Sequence, residues 1–330
     1  MQVNDNDMRF TFLGTSAGSP TVDRNVTAMA LALDESRDWY LVDCGEGTQQ
    51  RLLKSRYTLS GLAGIFITHV HGDHIFGLPG LITSASMQGR KEPLMICAPE
   101  GVESFVRHSL KCAAVSNMPF ELNFIRSDQP DFHFQDQRFE VTAHELSHRV
   151  PSFAYRFQEQ PVIQSMDQEK LASMGVPRGP LWGELQNGNS VALSDGRIVH
   201  AQDVRLPPLS GRVAIIGGDN DQPDLLIEAM KGVDVLVHEA TFTDPVLEKV
   251  GPQYMHSTAR MVGEAAEQGG VNYVILTHIS GRYRKNSSEF ASSVEALRRE
   301  AQSVFRGQVE LAEDFGCWAL DRERNLSRIE

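Results

Sequence analysis

The sequence predicts an α/β (α+β) fold, a four-layer αββα sandwich whose chemistry lies along one edge of its sheets. Three observations carry this. Strand-length apolar runs alternate with helical segments through two halves of the chain, each half mixing both kinds. Several of the runs end on a single polar residue of metal-binding type. The stretch His69-Val70-His71-Gly72-Asp73-His74 then packs three imidazoles and a carboxylate into six residues.

In chain order, strands are expected at Arg9–Leu13, Ala28–Leu33, Trp39–Val42, Leu62–Thr68, Leu94–Ala98, Phe120–Ile125, Arg138–Ala143 and Phe153–Phe157. Each is a short run rich in β-branched, aromatic or other apolar residues, bounded by turn formers. Helices are expected near Gly47–Arg56, His74–Met87, Gly101–Ala114, Asp224–Lys231, Thr258–Gln268 and Ser287–Phe305, with two late strands at Gln308–Glu313 and Gly316–Asp321. Apolar runs at Arg212–Gly218, Asp234–Val237 and Tyr273–Thr277 end on Asp219, on His238-Glu239 and on His278. Polar caps on apolar strands are the pattern of a sheet whose rim carries a site.

Composition bounds the rest. The 330 residues are 41% hydrophobic, enough for one large α/β domain with a full core. No apolar run approaches the roughly 20 residues of a membrane span. The polar, acidic start Met1–Asp7 has no signal-peptide character, so a cytoplasmic protein without a membrane partner is expected. Four cysteines, Cys44, Cys97, Cys112 and Cys317, show no CxxC spacing and exclude a cysteine–zinc site or disulfide framework. The net charge of −12 argues against a broadly basic nucleic-acid binder, yet RNA binding follows local potential rather than the total.

The histidine run follows the apolar segment Leu62–Ile67 and so falls where a strand spills into a loop. Nitrogen and oxygen donors without cysteine suit zinc or manganese better than an iron–sulfur or blue-copper centre. One decoy needs weighing. His144-Glu145-Leu146-Ser147-His148 satisfies the HExxH signature of zinc proteases. That chemistry needs a helix to bring both histidines to one metal. Here Phe139–Ala143 alternates like a strand, and Val150-Pro151 breaks any helix that follows. His148 is therefore kept as a ligand, and His144 is read as structural or supporting. His108, His133 and His200 lie in ordinary segments, whereas His238 and Asp43 read as supports for the site.

Through HxHxDH at His69, His71, Asp73 and His74, the chain resembles the metallo-β-lactamase superfamily. Further runs narrow the resemblance to the ribonuclease Z family. They are Phe12-Leu13-Gly14-Thr15-Ser16-Ala17-Gly18-Ser19-Pro20, Asp43-Cys44-Gly45-Glu46-Gly47-Thr48-Gln49, His238-Glu239-Ala240-Thr241, His256-Ser257-Thr258 and Thr277-His278-Ile279-Ser280. The resemblance implies a zinc-dependent endonuclease that removes 3′ trailers from precursor tRNA. The runner-up is a phosphodiesterase of the same fold acting on other RNAs or small diesters.

Carried over residue by residue, the resemblance implies two Zn²⁺ per subunit, with Mn²⁺ as the alternative. His69, His71 and His148 would hold one ion, Asp73, His74 and His278 the other, and Asp219 would bridge them. Two such cations about 3.5–4 Å apart can activate a water and clamp a phosphodiester. Glu239 and His256 would deliver the proton to the leaving oxygen, and Asp73 could also steer the nucleophile. Arg24 and Arg282 would contact the substrate. Residues 158–207, where the βα rhythm is lost among Gly175-Val176-Pro177-Arg178-Gly179-Pro180, would be an inserted flexible arm that grips tRNA. That arm carries two more acids than bases. A homodimer is implied, with one subunit's arm serving the other's site. Three positions depart from the family's pattern: Val22 stands where lysine is usual, Asn220 where threonine follows the bridging aspartate, and Gly281 where alanine or serine is common.

Overall fold

The computed structural model describes residues 7–33, 36–115, 117–161, 166–206, 209–284 and 290–329. Within the expectations above, Met1–Asn6, parts of 158–207 (162–165 and 207) and the start of the Ser287–Phe305 helix lie outside the described residues. The chain divides into two compact units, residues 1–158 with 212–330, and residues 159–211.

The larger unit holds two sheets. The first runs in the order Leu326–Arg328, Cys317–Leu320, Met8–Gly14, Ala28–Leu33, Trp39–Val42, Leu62–Phe66, Leu94–Ala98 and Leu122–Arg126. It is antiparallel up to Trp39–Val42 and parallel beyond. The second runs Gln308–Leu311, Tyr273–Thr277, Val235–Glu239, Val213–Ile216, Ser152–Glu159, Phe139–Leu146 and His133–Gln135. Its first four strands are parallel.

Side-chain alternation explains the layering. Met8, Phe10, Phe12, Met29, Leu31, Tyr40 and Val42 join Phe139, Val141, Tyr155, Phe157, Ala214, Ile216, Val235, Val237 and Ile275 in one buried cluster between the sheets. The alternate residues Ala28, Ala30, Trp39, Leu41, Ile65 and Ile96 face outward onto Leu78, Leu81 and Ile82 of helix Leu78–Met87 and Val102 and Val106 of helix Val102–Cys112. On the second sheet Val213, Ile215, Leu236, Val274 and Leu276 face Val262, Ala265 and Ala266 of helix Ala259–Gly269 and Leu297 and Ala301 of helix Val294–Gln302. A period of two along strands buried on both faces therefore produces four layers, α, β, β and α.

Two expected helices differ. His74–Met87 is two helices, Gly72–Ile75 and Leu78–Met87, broken at Gly77. A Cβ at Gly77 would lie 2.3 Å from the Gly45 carbonyl, so two loops pack there without room for a side chain. Asp224–Lys231 shortens to the 3₁₀ turn Pro223–Leu226; Leu226 on that turn and Met230 beyond it both reach the outer cluster under helix Ala259–Gly269. The HExxH segment lies largely on strand Phe139–Leu146, which excludes the helical zinc-protease arrangement.

Gly45 carries the same close packing from the other side. A Cβ there would sit 2.2 Å from the Asp73 carbonyl oxygen and 2.6 Å from Val26 Cγ2. Backbone cannot yield as a flexible side chain can, so Gly45→Ala is expected to destabilise the fold by about 3 kcal/mol, read as a lower urea midpoint.

The unit of residues 159–211 has its own apolar cluster, including Met166, Leu171, Val176, Leu185, Val191, Val199 and Val204. It contains helices Gln168–Ser173 and Pro180–Gln186, the antiparallel pair Val191–Ala192 and Ile198–Val199, and the turn Ala201–Val204. The Asp167 carboxylate accepts from the Lys170 N–H and caps the first helix. The Arg178 guanidinium stands 5.4 Å over the Trp182 ring. No helix among the described residues is long and apolar enough to cross a membrane.

Candidate active site

Strand ends of both sheets in the larger unit deliver the polar residues to one place. Strand Leu62–Phe66 leads to His69, Val213–Ile216 to Asp219, Val235–Glu239 ends on Glu239, and Tyr273–Thr277 leads to His278. Strand Phe139–Leu146 runs on to His148, and the short helix Gly72–Ile75 carries Asp73 and His74. Sites outside the carboxyl ends of parallel strands follow from that topology.

Asp219 lies at the centre. Its Oδ2 is 3.6 Å from His69 Nε2 and 3.7 Å from His148 Nε2. His71 Nδ1 is 3.1 Å from His69 Nε2 and 3.2 Å from His148 Nε2. The other oxygen, Oδ1, is 3.5 Å from His74 Nε2 and 3.4 Å from His278 Nε2. Asp73 Oδ2 completes that second group at 3.5 Å from His74 Nε2 and 3.2 Å from His278 Nε2. A tetrahedral zinc with bonds of about 2.0–2.1 Å needs ligand atoms about 3.3–3.4 Å apart, and these spacings fit. His69, His71, His148 and Asp219 could hold one ion, and Asp73, His74 and His278 with the second Asp219 oxygen another.

The unmet polar demand agrees. His74 Nε2 is buried and has no hydrogen-bond partner among the described residues, although its Nδ1 is 2.7 Å from Asp43 Oδ2. Asp43 also accepts from the Thr68 N–H at 2.8 Å, so it fixes both the ring and the loop that carries His69. Burial opposes charge on His74, but Asp43, Asp73 and Asp219 outweigh it and hold the ring well above its ordinary pKa. Burial and the neighbouring rings of His74, His71 and His148 push His69 well down. Burial likewise opposes the charge on Asp73, yet His74 and His278 hold its carboxyl far below the usual range. Acids and imidazoles this crowded form a set that could hold a cation. Backbone strain collects here as well: Asp43, Met255 and His278 are non-glycine residues with φ of 59°, 53° and 53°.

Beside this centre stands an acid pair. His256 Nδ1 is 2.9 Å from Glu239 Oε1 and 3.8 Å from Asp219 Oδ2. Glu239 is buried and accepts from the Asn220 N–H at 2.9 Å, the Thr241 N–H at 3.2 Å and the Thr241 hydroxyl. Burial raises its pKa, but His256, His278 and the Asn220 N–H outweigh that and hold the carboxyl below its usual range. Burial lowers His256, while Glu239, with help from Asp219, more than compensates and lifts it to about 9.

The arginines part company. Arg282 is exposed. Arg24 is only 8% exposed, and its Nη1 donates to Thr15 Oγ1 at 2.7 Å and the Ala312 carbonyl at 2.8 Å. It lines a cavity of about 620 Å³ with Thr21, Val22, Gly281, Tyr283 and Asp314, where Val22 stands fully exposed at the rim. Arg24 is thus a brace of that wall rather than a free guanidinium. Lys285, next to Arg284, lies outside the described residues.

His238, read above as a support for the site, meets the residue that follows Asp219. Its Nε2 faces Asn220 Nδ2 at 3.1 Å. His144 bonds locally to Thr142 at 3.2 Å, and His108, His133 and His200 to Ser104, Glu140 and Ser190. Sequence reasoning gave no role to the Gly18 N–H, which donates to Asp73 Oδ2 at 2.8 Å, or to the Met255 carbonyl, 2.9 Å from His148 Nδ1. Backbone groups leave no side-chain signature, although the glycine at 18, with φ of 70°, marks the turn that presents that N–H.

Among known proteins, ribonuclease Z of Marinobacter nauticus is 46% identical over 98% of this chain and 99% of its own. The chain belongs to the ribonuclease Z family. A family model described as Anti-Pycsar protein Apyc1 matches residues 8–173, the half that holds His69, His71, Asp73, His74 and His148. Human tRNase Z, short form, superposes with a TM-score of 0.63 at 27% identity, covering 94% of this chain and 98% of its own. The metallo-β-lactamase fold protein YhfI of Bacillus subtilis shares the fold, at a TM-score of 0.64 and 18% identity over 95% of this chain and 100% of its own. The two facing sheets are thus a metallo-β-lactamase fold. This ribonuclease Z family member is a metal-dependent hydrolase, and its histidine–aspartate cluster could hold a divalent metal.

Proposed function

We propose that this chain cleaves 3′ trailers from precursor tRNA with two zinc ions, manganese being the alternative metal. The observation that carries the reading is Asp219, whose two oxygens face two separate donor groups while the Glu239–His256 pair stands against it. In this reading His69, His71 and His148 hold one ion, Asp73, His74 and His278 the other, and Asp219 both. Bound there, the ions would supply Lewis acidity to a phosphodiester and ease deprotonation of the attacking water. Two carboxylates among seven ligands leave the centre net positive, which suits an anionic backbone.

The protein's own groups do the rest. Asp73, fixed by the Gly18 N–H, would serve as a ligand and could also steer the nucleophile. With Nδ1 engaged by Glu239, His256 has Nε2 left to protonate the departing 3′ oxygen. Glu239, held as a carboxylate by its donors, orients the ring without taking the proton. Arg282 meets a substrate phosphate, its fork suited to that geometry. Arg24 acts through the loop it braces. The unit of residues 159–211 is read as the arm that grips tRNA away from the cut, serving the site of a second copy in a homodimer. Its acidic balance predicts a shallow salt dependence of binding. The cytoplasm, where precursor tRNA is processed, is the setting this substrate requires.

A 3′-extended precursor tRNA tests the reading, with bis-p-nitrophenyl phosphate alongside. Cutting at the base of the acceptor stem is expected, with both activities lost in His69→Ala. Deletion of residues 160–210 is expected to raise KM for tRNA and spare the small ester. Turnover of the small ester with the tRNA left whole would replace this reading with a phosphodiesterase for smaller diesters, which the chain's acidity would suit.

A further inference from the structure

Asn220 follows Asp219 in the chain and is fully buried. Its Oδ1 accepts from the Ser147 N–H at 3.2 Å and the Gln222 N–H at 3.1 Å. Its Nδ2 lies 3.1 Å from His238 Nε2. The orientation of this amide is determined by its partners. His238 Nδ1 stands 2.8 Å from the Glu239 carbonyl, which can only accept, so Nδ1 carries the proton and Nε2 is a bare acceptor. Backbone N–H groups can only donate, so they take Oδ1. The main chain of Asn220 is engaged as well: its N–H donates to Glu239 Oε1 at 2.9 Å, and its carbonyl accepts from the Ser257 hydroxyl.

Every tie but the one to Gln222 ends on or next to a site residue. Ser147 precedes His148, His238 precedes Glu239, and Ser257 follows His256. Three of the five ties run to the acid pair or its immediate neighbours. We propose that Asn220 is a positioning residue that holds the Glu239–His256 pair in register with Asp219. The inference rests on the hydrolytic reading above and deepens it. The amide itself touches no reacting atom. It fixes the strand end that carries Glu239 and the loop that carries His148 to the residue after Asp219, so that His256 meets the leaving oxygen while the donor set meets the phosphate.

This positioning makes a prediction that simple destabilisation does not. Protonation matters for an alkoxide leaving group, such as the ribose oxygen of RNA. It matters little for p-nitrophenolate, which leaves unprotonated. Loss of register should therefore be selective.

The test compares Asn220→Thr with Asn220→Val, side chains of one shape that differ by a hydroxyl, each confirmed folded by its melting temperature. Metal content, precursor tRNA cleavage and bis-p-nitrophenyl phosphate turnover are measured for both and for the wild type. Asn220→Val is expected to lower kcat on tRNA by about 10–100-fold, with KM within about twofold, wild-type metal content and less than about threefold loss on the small ester. Asn220→Thr should recover most of that loss. A second readout needs no substrate: the low-field Nδ1–H proton resonance of His256, identified by its absence in His256→Ala, should shift or broaden in Asn220→Val at full metal loading. Equal loss on both esters, equal behaviour of the threonine and valine variants, or an unmoved His256 resonance would overturn the inference. A wild type that cleaves only the small ester sinks the tRNA reading instead, and the resonance still decides the role of Asn220.

Discussion

Asp219→Ala is expected to lower phosphodiester cleavage by more than about a thousandfold on every substrate, small ester and RNA alike. The expectation follows from position. Asp219 alone sends one carboxylate oxygen to His69 and His148 and the other to His74 and His278. Truncation leaves six buried or half-buried donors facing each other with one carboxylate, Asp73, among them. Imidazoles 3.1–3.2 Å apart then have no shared anion or cation to gather around. Metal content measured after dialysis should fall below that of the wild type, and KM is not the parameter that reports the loss. Asp219→Asn keeps the shape and one acceptor, so it should retain more metal than the alanine variant while remaining far below the wild type in rate. An Asp219→Ala protein with wild-type metal content and rate would show that the two donor groups act independently.

Much of this site was legible in the sequence because its residues are close together along the chain or sit at strand ends. HxHxDH announces itself within six residues. Asp219, Glu239 and His278 follow apolar runs whose period marks a buried strand. The strands Ala28–Leu33, Trp39–Val42 and Leu94–Ala98 have the expected bounds because polar or turn residues punctuate both ends. What was not legible depends on partners far away in sequence. Arg24 reads as a substrate arginine, but Ala312 and Asp314, nearly three hundred residues later, draw it into the protein. The break at Gly77 reflects a loop at Gly45 that no local pattern records. His238 reads as a support for the site, but its partner, an amide 18 residues away, is not visible in the sequence. Asn220 registered only as a departure from a pattern. Its role appears once four chain segments converge on it.

Glu239→Gln is expected to slow RNA cleavage by about 10²–10⁴-fold with metal content unchanged, and to move the alkaline limb of the rate profile to lower pH. The sign follows from His256. As the proton donor it works only while protonated, so activity falls as pH rises through its pKa. Burial lowers that pKa and the Glu239 carboxylate raises it, to about 9 on balance. A neutral amide removes that favourable part and leaves burial opposed mainly by Asp219, so the ring loses its proton at lower pH. Bound cations push both enzymes the same way, which leaves the direction of the difference intact. The amide also offers Nε2–H groups where either the Asn220 or the Thr241 N–H already donates, so one donor must face another and the seat of the ring is weakened. His256→Ala should match Glu239→Gln in rate on RNA, and the double variant should be little worse than either, since the two residues act as one unit. Bis-p-nitrophenyl phosphate, whose leaving group needs no proton, should be spared by all three. A Glu239→Gln enzyme that loses both substrates equally, with an unmoved alkaline limb, would assign Glu239 to holding the strand end rather than the proton donor.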